Sequence, residues 1–120
     1  MVGGGHVEAA ATMTIEEYLR AMETNFSPER TYGKSAVIQY QFTGSQTGTC
    51  HAIIENGTLH TAQGPHPAPT ATVISDFDVW MRVMAYRQDP LLAYQEGCYQ
   101  VVGDLETLME SDSWFPRRVQ

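Results

Sequence analysis

Four histidines in a chain of 120 residues are the first candidates for chemistry. If Asn56-Gly57 turns a hairpin, Ile53 faces His60, and His51 lies diagonally from His60 on the same face with Glu55 nearby. Two imidazoles and a carboxylate can hold a metal. No close-spaced ligand motif supports that use, however, and the polar outer face of a sheet carries the same residues for solubility. No metal is expected. His66 stands between prolines and His6 in a glycine-rich lead, so neither adds a ligand.

Nucleophiles and general acids fare no better. There is no Gly-x-Ser-x-Gly elbow, no cysteine in a nucleophile signature and no glycine-rich phosphate loop. Asp76, Asp78, Asp89 and Asp104 all fall at expected helix starts, where a carboxylate satisfies free amides and favours the helix dipole. Capping accounts for them. Cys50 and Cys98 each fall in an expected strand and read as buried thiols of a reducing, cytoplasmic compartment, with a disulfide open to them only if the strands are neighbours. The expectation is a protein without catalytic residues or cofactor, not an enzyme.

Charge narrows the partners. Fourteen acids against seven bases give a net charge of −7, and no basic run exceeds Arg117-Arg118. Phosphate neutralisation needs clustered Lys and Arg, so nucleic acid is excluded and standing association with anionic membranes is disfavoured. No apolar run reaches the roughly 18 residues that span a bilayer, and residues 1–13 lack the pattern of a secretory signal. They are expected to be a flexible lead, followed by one domain over 14–115 and a tail over 116–120.

The elements that would position a site read clearly. Thr14-Ile-Glu-Glu is a capping box, and Ile15, Tyr18, Leu19, Met22 and Phe26 follow at helical spacing. From Lys34 the period becomes two: Ala36, Ile38, Tyr40 and Phe42 make one strand, Cys50, Ala52 and Ile54 a second, and residues 58–62 a third beyond a type I′ turn at Asn56-Gly57. The proline-rich stretch 64–69 is a rigid connector. Residues 70–74 read as a fourth strand, and Ser75-Asp-Phe-Asp as a second capping box opening a helix through about Arg87. Asp89-Pro90 starts a short helix that Gly97 ends. A strand over 98–102 and a helix from Leu105 complete the chain. Helices and mostly consecutive strands imply an α+β layer.

An apolar surplus remains on the late helices, in Phe77, Trp80, Met81, Met84, Leu91, Leu92, Tyr94, Leu105, Leu108, Met109, Trp114 and Phe115. Spacing alone makes such stripes core. Six methionines, flexible and able to fill irregular space, suit a loose core or a pocket for an apolar ligand equally well.

The order of motifs resembles the sterol carrier protein type 2 domain family over about residues 14–115. The Asp89-Pro90 helix, Ala93, Gly97, the strand ending at Gly103-Asp104 and the start at Leu105 carry the resemblance, supported by Ala36-Val-Ile-Gln-Tyr-Gln-Phe and Thr72-Val-Ile-Ser-Asp-Phe. It implies a five-stranded, mostly antiparallel sheet covered on one face by helices and enclosing an apolar tunnel. It also implies a soluble lipid-binding or transfer protein for a fatty acid, fatty acyl-CoA, sterol or phospholipid. Carried over by position, the tunnel wall comprises Ile38, Tyr40, Ile54, Tyr99 and Val101 of the sheet and Phe77, Trp80, Met81, Met84, Leu92, Leu108 and Met109 of the helices, with Trp114 and Phe115 folding over its mouth. Transient membrane contact for ligand exchange fits that reading. His51 replaces a common aromatic, the glycine before Asp-Pro is absent, and residues 111–116 shorten the last helix. The alternative, from another class, is an interaction or homodimerisation module that keeps the fold with its tunnel filled.

Overall fold

The computed structural model describes residues 13–85 and 89–116. The expected lead apart from Met13, the expected helix end at Arg87 and the tail beyond Pro116 lie outside the described residues. Helix α1 spans Ile15–Asn25 and begins with the capping box read from its sequence: the Glu17 amide donates to Thr14 Oγ1 at 3.1 Å and the Thr14 amide to Glu17 Oε1 at 2.9 Å. Ile15, Tyr18, Leu19 and Met22 are its buried face. A 3-10 turn, Pro28–Thr31, leads into the sheet.

Strands β1 (Ser35–Thr43), β2 (Gly48–Glu55) and β3 (Thr58–Gln63) form an antiparallel meander. Asn56 and Gly57 both take positive φ, 45° and 87°, as a type I′ hairpin requires. Strand β4 (Ala71–Asp76) then pairs parallel to β1, and β5 (Gln100–Gly103) antiparallel to β4, giving the order β3-β2-β1-β4-β5. The sheet is mixed, with one parallel pair among three antiparallel ones.

To lie on the far side of β1, the chain must cross the outer face of the sheet, and residues 64–69 make that crossing. The Gly64 amide donates to the Thr49 carbonyl, His51 Nδ1 meets the Gly64 carbonyl at 2.8 Å, the His66 amide donates to Gln39 Oε1, and the Thr70 amide donates to the Val37 carbonyl. Gln39, His51 and Thr72, adjacent across the register, are buried beneath this strap although they face away from the core. His51 also packs edge-on against the His66 ring at 5.3 Å. It serves the crossover, and among the described residues no three His, Cys, Asp or Glu side chains lie together as a metal set.

The inner face carries the helices. Helix α2 (Phe77–Ala85) is capped by Asp76, whose Oδ1 accepts from the Asp78 and Val79 amides at 2.9 and 3.1 Å. This corrects the expected cap at Ser75. Pairing of Thr43 with Asp76 carries the strand one residue further, leaving the Ser75 hydroxyl to donate to the Asp76 carbonyl and Asp78 to accept from Ser45. Helices α3 (Pro90–Gln95) and α4 (Leu105–Ser111) are capped by Asp89 and Asp104 as expected, and a 3-10 turn, Asp112–Trp114, follows α4. Cys98 lies before β5, not in a strand. It is an exposed free thiol and Cys50 a buried one in β2, which β1 and β4 separate from β5, so they do not pair.

Gly103 has φ 102°, and a Cβ there would sit 2.6 Å from the Thr70 carbonyl oxygen, whereas Gly64 at φ 100° has open space around it. Gly103→Ala is therefore expected to cost about 2 kcal/mol or more, and Gly64→Ala about 1 kcal/mol from backbone strain alone. Urea midpoints of the two variants check this; equal losses would show that the β4–β5 contact is not the source.

Candidate functional site

A group of rings on the inner face of the sheet forms the floor of the site. Tyr18 of α1 stands edge-on to Tyr40 and Phe42 of β1 at 5.7 and 5.9 Å, Phe42 is edge-on to Phe77 at 5.0 Å, and Trp80 is edge-on to Tyr99 at 5.0 Å. Buried rings with polar atoms need partners. The Trp80 indole donates to the Tyr18 hydroxyl at 2.8 Å, and the Tyr99 hydroxyl to the Pro90 carbonyl at 2.6 Å.

Above this floor the helices do not close completely. They leave a cavity of about 210 Å³ between α1, α2, the start of α3, and α4 with its 3-10 turn. Tyr18, Tyr40 and Trp80 are its floor; Ala21, Met22 and Asn25 line it from α1, Met81 and Met84 from α2, and Leu108, Met109 and Ser111 from α4. Met13, Pro90, Asp112 and Phe115 complete it. All five methionines among the described residues line this space.

Seven of the residues named from sequence meet there: Tyr40, Trp80, Met81, Met84, Leu108, Met109 and Phe115. The others lie elsewhere. Ile38, Ile54 and Phe77 are fully buried core, where helices rest directly on the sheet. Tyr99 and Val101 pack beside Trp80 and the core rather than along the cavity, and Leu92 is 51% exposed on the outer side of α3. Trp114 does not cover the mouth. It is 2% exposed, and its carbonyl accepts the Ser27 amide at 2.9 Å, so the 3-10 turn is anchored to the chain end of α1. Phe115 reaches the cavity instead, packed on Phe26 at 5.6 Å between ring centres. Of the α1 residues at the cavity, the sequence names Tyr18 and Met22 only as part of a helix packing face and does not single out Ala21. Their spacing marked burial, and nothing in it showed that part of the buried face borders empty space.

Burial governs the ionisable groups. It raises Tyr18 and Tyr40 well above the ordinary phenol value and pushes Tyr99 to about 12; the charge of Asp112 adds to each as a lesser cause. Burial also pushes the Cys50 thiol up to about 12, which makes it a poor nucleophile. The Ser111 hydroxyl is committed to the Leu108 carbonyl at 2.7 Å. The site offers an apolar volume with few polar groups.

This architecture is the sterol carrier protein 2 fold. The chain superposes on the palmitated sterol carrier protein 2-like 2 of Aedes aegypti with a TM-score of 0.66 and 17% identity, covering 90% of this chain and 99% of that one. It is also similar to the stereoselective inverting sec-alkylsulfatase from Pseudomonas sp., with a TM-score of 0.73 and 17% identity over 82% of this chain, and to a double mutant of that sulfatase with a TM-score of 0.80 and 17% identity over 89%. The chain spans only 16% and 17% of those two sulfatase chains. No protein-family model and no curated protein sequence matches it.

The raised phenols and thiol set an alkaline limit. A group whose folded pKa lies above its unfolded one contributes stability that is complete below the unfolded value and lost as pH rises through the folded one. Urea midpoints are expected to stay flat between about pH 6 and 9 and to fall above the ordinary values of 9.0 for Cys50 and 10.0 for the tyrosines. At about pH 10.5, absorbance at 295 nm should show Tyr18, Tyr40 and Tyr99 still protonated in the native protein and ionised on unfolding. Full phenolate absorbance before unfolding would contradict the burial of these rings.

Proposed function

We propose that the chain binds a lipid or other aliphatic ligand in the cavity between its helices and the sheet, carrying it without chemical change. The observation that supports this is the convergence of Met13, Met22, Met81, Met84 and Met109 on one space over an aromatic floor. Thioethers on flexible stems adapt to a sliding alkyl chain, where branched side chains would set one fixed shape. The volume exceeds the roughly 150 Å³ at which an apolar protein cavity stays dry and takes up benzene. Each buried methylene contributes about 0.8 kcal/mol, so several are needed to offset the cost of ordering the ligand.

The similarity to a palmitated sterol-carrier-like protein supports an acyl or sterol-like ligand, and transfer through transient membrane contact follows from that reading. Two free thiols suit a reducing compartment such as the cytoplasm. The sulfatase likeness allows a different setting, in which the domain presents an aliphatic substrate within a larger enzyme. The cavity lining is mostly apolar and the Ser111 hydroxyl is committed to the Leu108 carbonyl, so we assign the cavity a binding role.

A second reading draws on the aromatic floor, which fills much of the space a larger ligand would need and would suit a dimerisation module. Light scattering separates the two, since a module of that kind runs at twice 13.4 kDa.

Met84→Trp should occlude the cavity while leaving the sheet intact. The neutral probe N-phenyl-1-naphthylamine is expected to bind the wild type and to lose about tenfold or more in affinity in the variant, at unchanged far-UV circular dichroism. Mass spectrometry of an organic extract of the purified protein should show a co-purifying aliphatic compound. Failure of the probe and of every aliphatic ligand to bind would remove the reading.

A further inference from the structure

The floor of the cavity is fixed where its walls are not. Trp80 is wedged between the rings of Tyr40 and Tyr99, with ring centres at 5.9 and 5.0 Å, and its indole N–H is held by the Tyr18 hydroxyl at 2.8 Å. Tyr40 stands on β1, the middle strand, so the sheet backs these buried rings directly. A ligand that displaced Trp80 downward would leave a buried N–H without its partner, a cost larger than one added methylene returns. The walls are different. Met22, Met81 and Met109 reach in on flexible stems and can shift sideways around a chain. The space is therefore adjustable in width and limited in depth, and Met13, 38% exposed, stands at its rim.

We infer that the cavity buries one aliphatic segment of about eight carbons, so that its ligand is a medium-chain, single-chain compound rather than a sterol or a long-chain lipid. This inference rests on the cavity being the ligand site. An apolar protein cavity of roughly 150 Å³ takes up benzene, and in the same proportion 210 Å³ accommodates about eight carbons. Carbons beyond these lie at the rim beside Met13, in contact with water, where little apolar surface is removed from solvent. A sterol has about three times as many carbons as the space holds, and a two-chain phospholipid more. Such a molecule lodges one end only and gains nothing from the rest.

Straight-chain primary alcohols from butanol to tetradecanol test this on the full chain at neutral pH, with binding read from the methyl resonances of isotope-labelled methionine. Affinity is expected to rise about threefold to fourfold with each methylene up to roughly octanol or nonanol, and by less than about 1.5-fold per methylene thereafter. Ala21→Leu adds side-chain carbons to the space from α1 and should move the break down by about three carbons, whereas Trp80→Leu lowers the floor and should move it up by about two. Far-UV circular dichroism checks that each variant is folded, and the wild-type series decides the chain length whichever variants fold. An affinity that keeps rising at the same slope through dodecanol, or a break that stays in place in either folded variant, would overturn the inference while leaving aliphatic binding standing. If no alcohol of the series and no other aliphatic ligand binds, the use of the cavity as an aliphatic site fails, and this inference falls with it.

Discussion

The hydrogen bond from the Trp80 indole to the Tyr18 hydroxyl fastens the first helix to the second across 62 residues of sequence. Each group would be costly to bury alone, and each satisfies the other in an otherwise apolar layer. The bond fixes how α1 and α2 face one another. One turn along from Tyr18 stand Ala21 and Met22; one turn along from Trp80 stands Met84. Those side chains oppose each other across the cavity. The floor and the walls of the site thus follow from one pairing of polar atoms on two amphipathic helices.

Much of the fold was legible because its signals are local. Thr14 with Glu17, Asn56-Gly57, Asp89-Pro90 and Asp104 each satisfy their own backbone neighbours, so the residues that make the structure are adjacent in sequence. Ser75 against Asp76 shows where that ends. Both can cap a helix, and the choice was made by β1, which keeps β4 extended through Asp76. The parallel pairing of β4 was likewise silent in the sequence, since periodicity reports which face of a strand is buried and not which strand lies beside it. His51 and Gln39 read as outer-face polar residues because nothing local indicated that the connector would fold back over them.

The site was legible in part for a similar reason. Trp80, Met81, Met84, Leu108 and Met109 fell on apolar helix faces, and so did residues that proved to be solid core. An empty volume is a property of several elements at once, set by how far the helices stand from one sheet. Phe77 and Met84 are both apolar residues of α2, yet Phe77 packs against Phe42 and Tyr18 within the core whereas Met84, at the core's edge, also lines the cavity. The sequence puts Trp114 over the cavity mouth because it follows the polar, broken segment 110–113. Its backbone bond to Ser27 holds it in the core.

The strap that carries the chain over the outer face has a kinetic side. Strand β1 reaches its antiparallel partner β2 through a short loop, but it meets β4 only after the hairpin and the strap have intervened, with Val37 and Thr70 standing 33 residues apart. Closing that longer loop costs more chain entropy and is rewarded only when β4 docks, so the meander is the unit able to assemble first. Until then the inner edge of β1 presents unpaired backbone groups along the most apolar strand of the protein. During synthesis that edge stands open until residues 71–76 emerge, which makes the meander the segment most in need of protection from pairing with other chains.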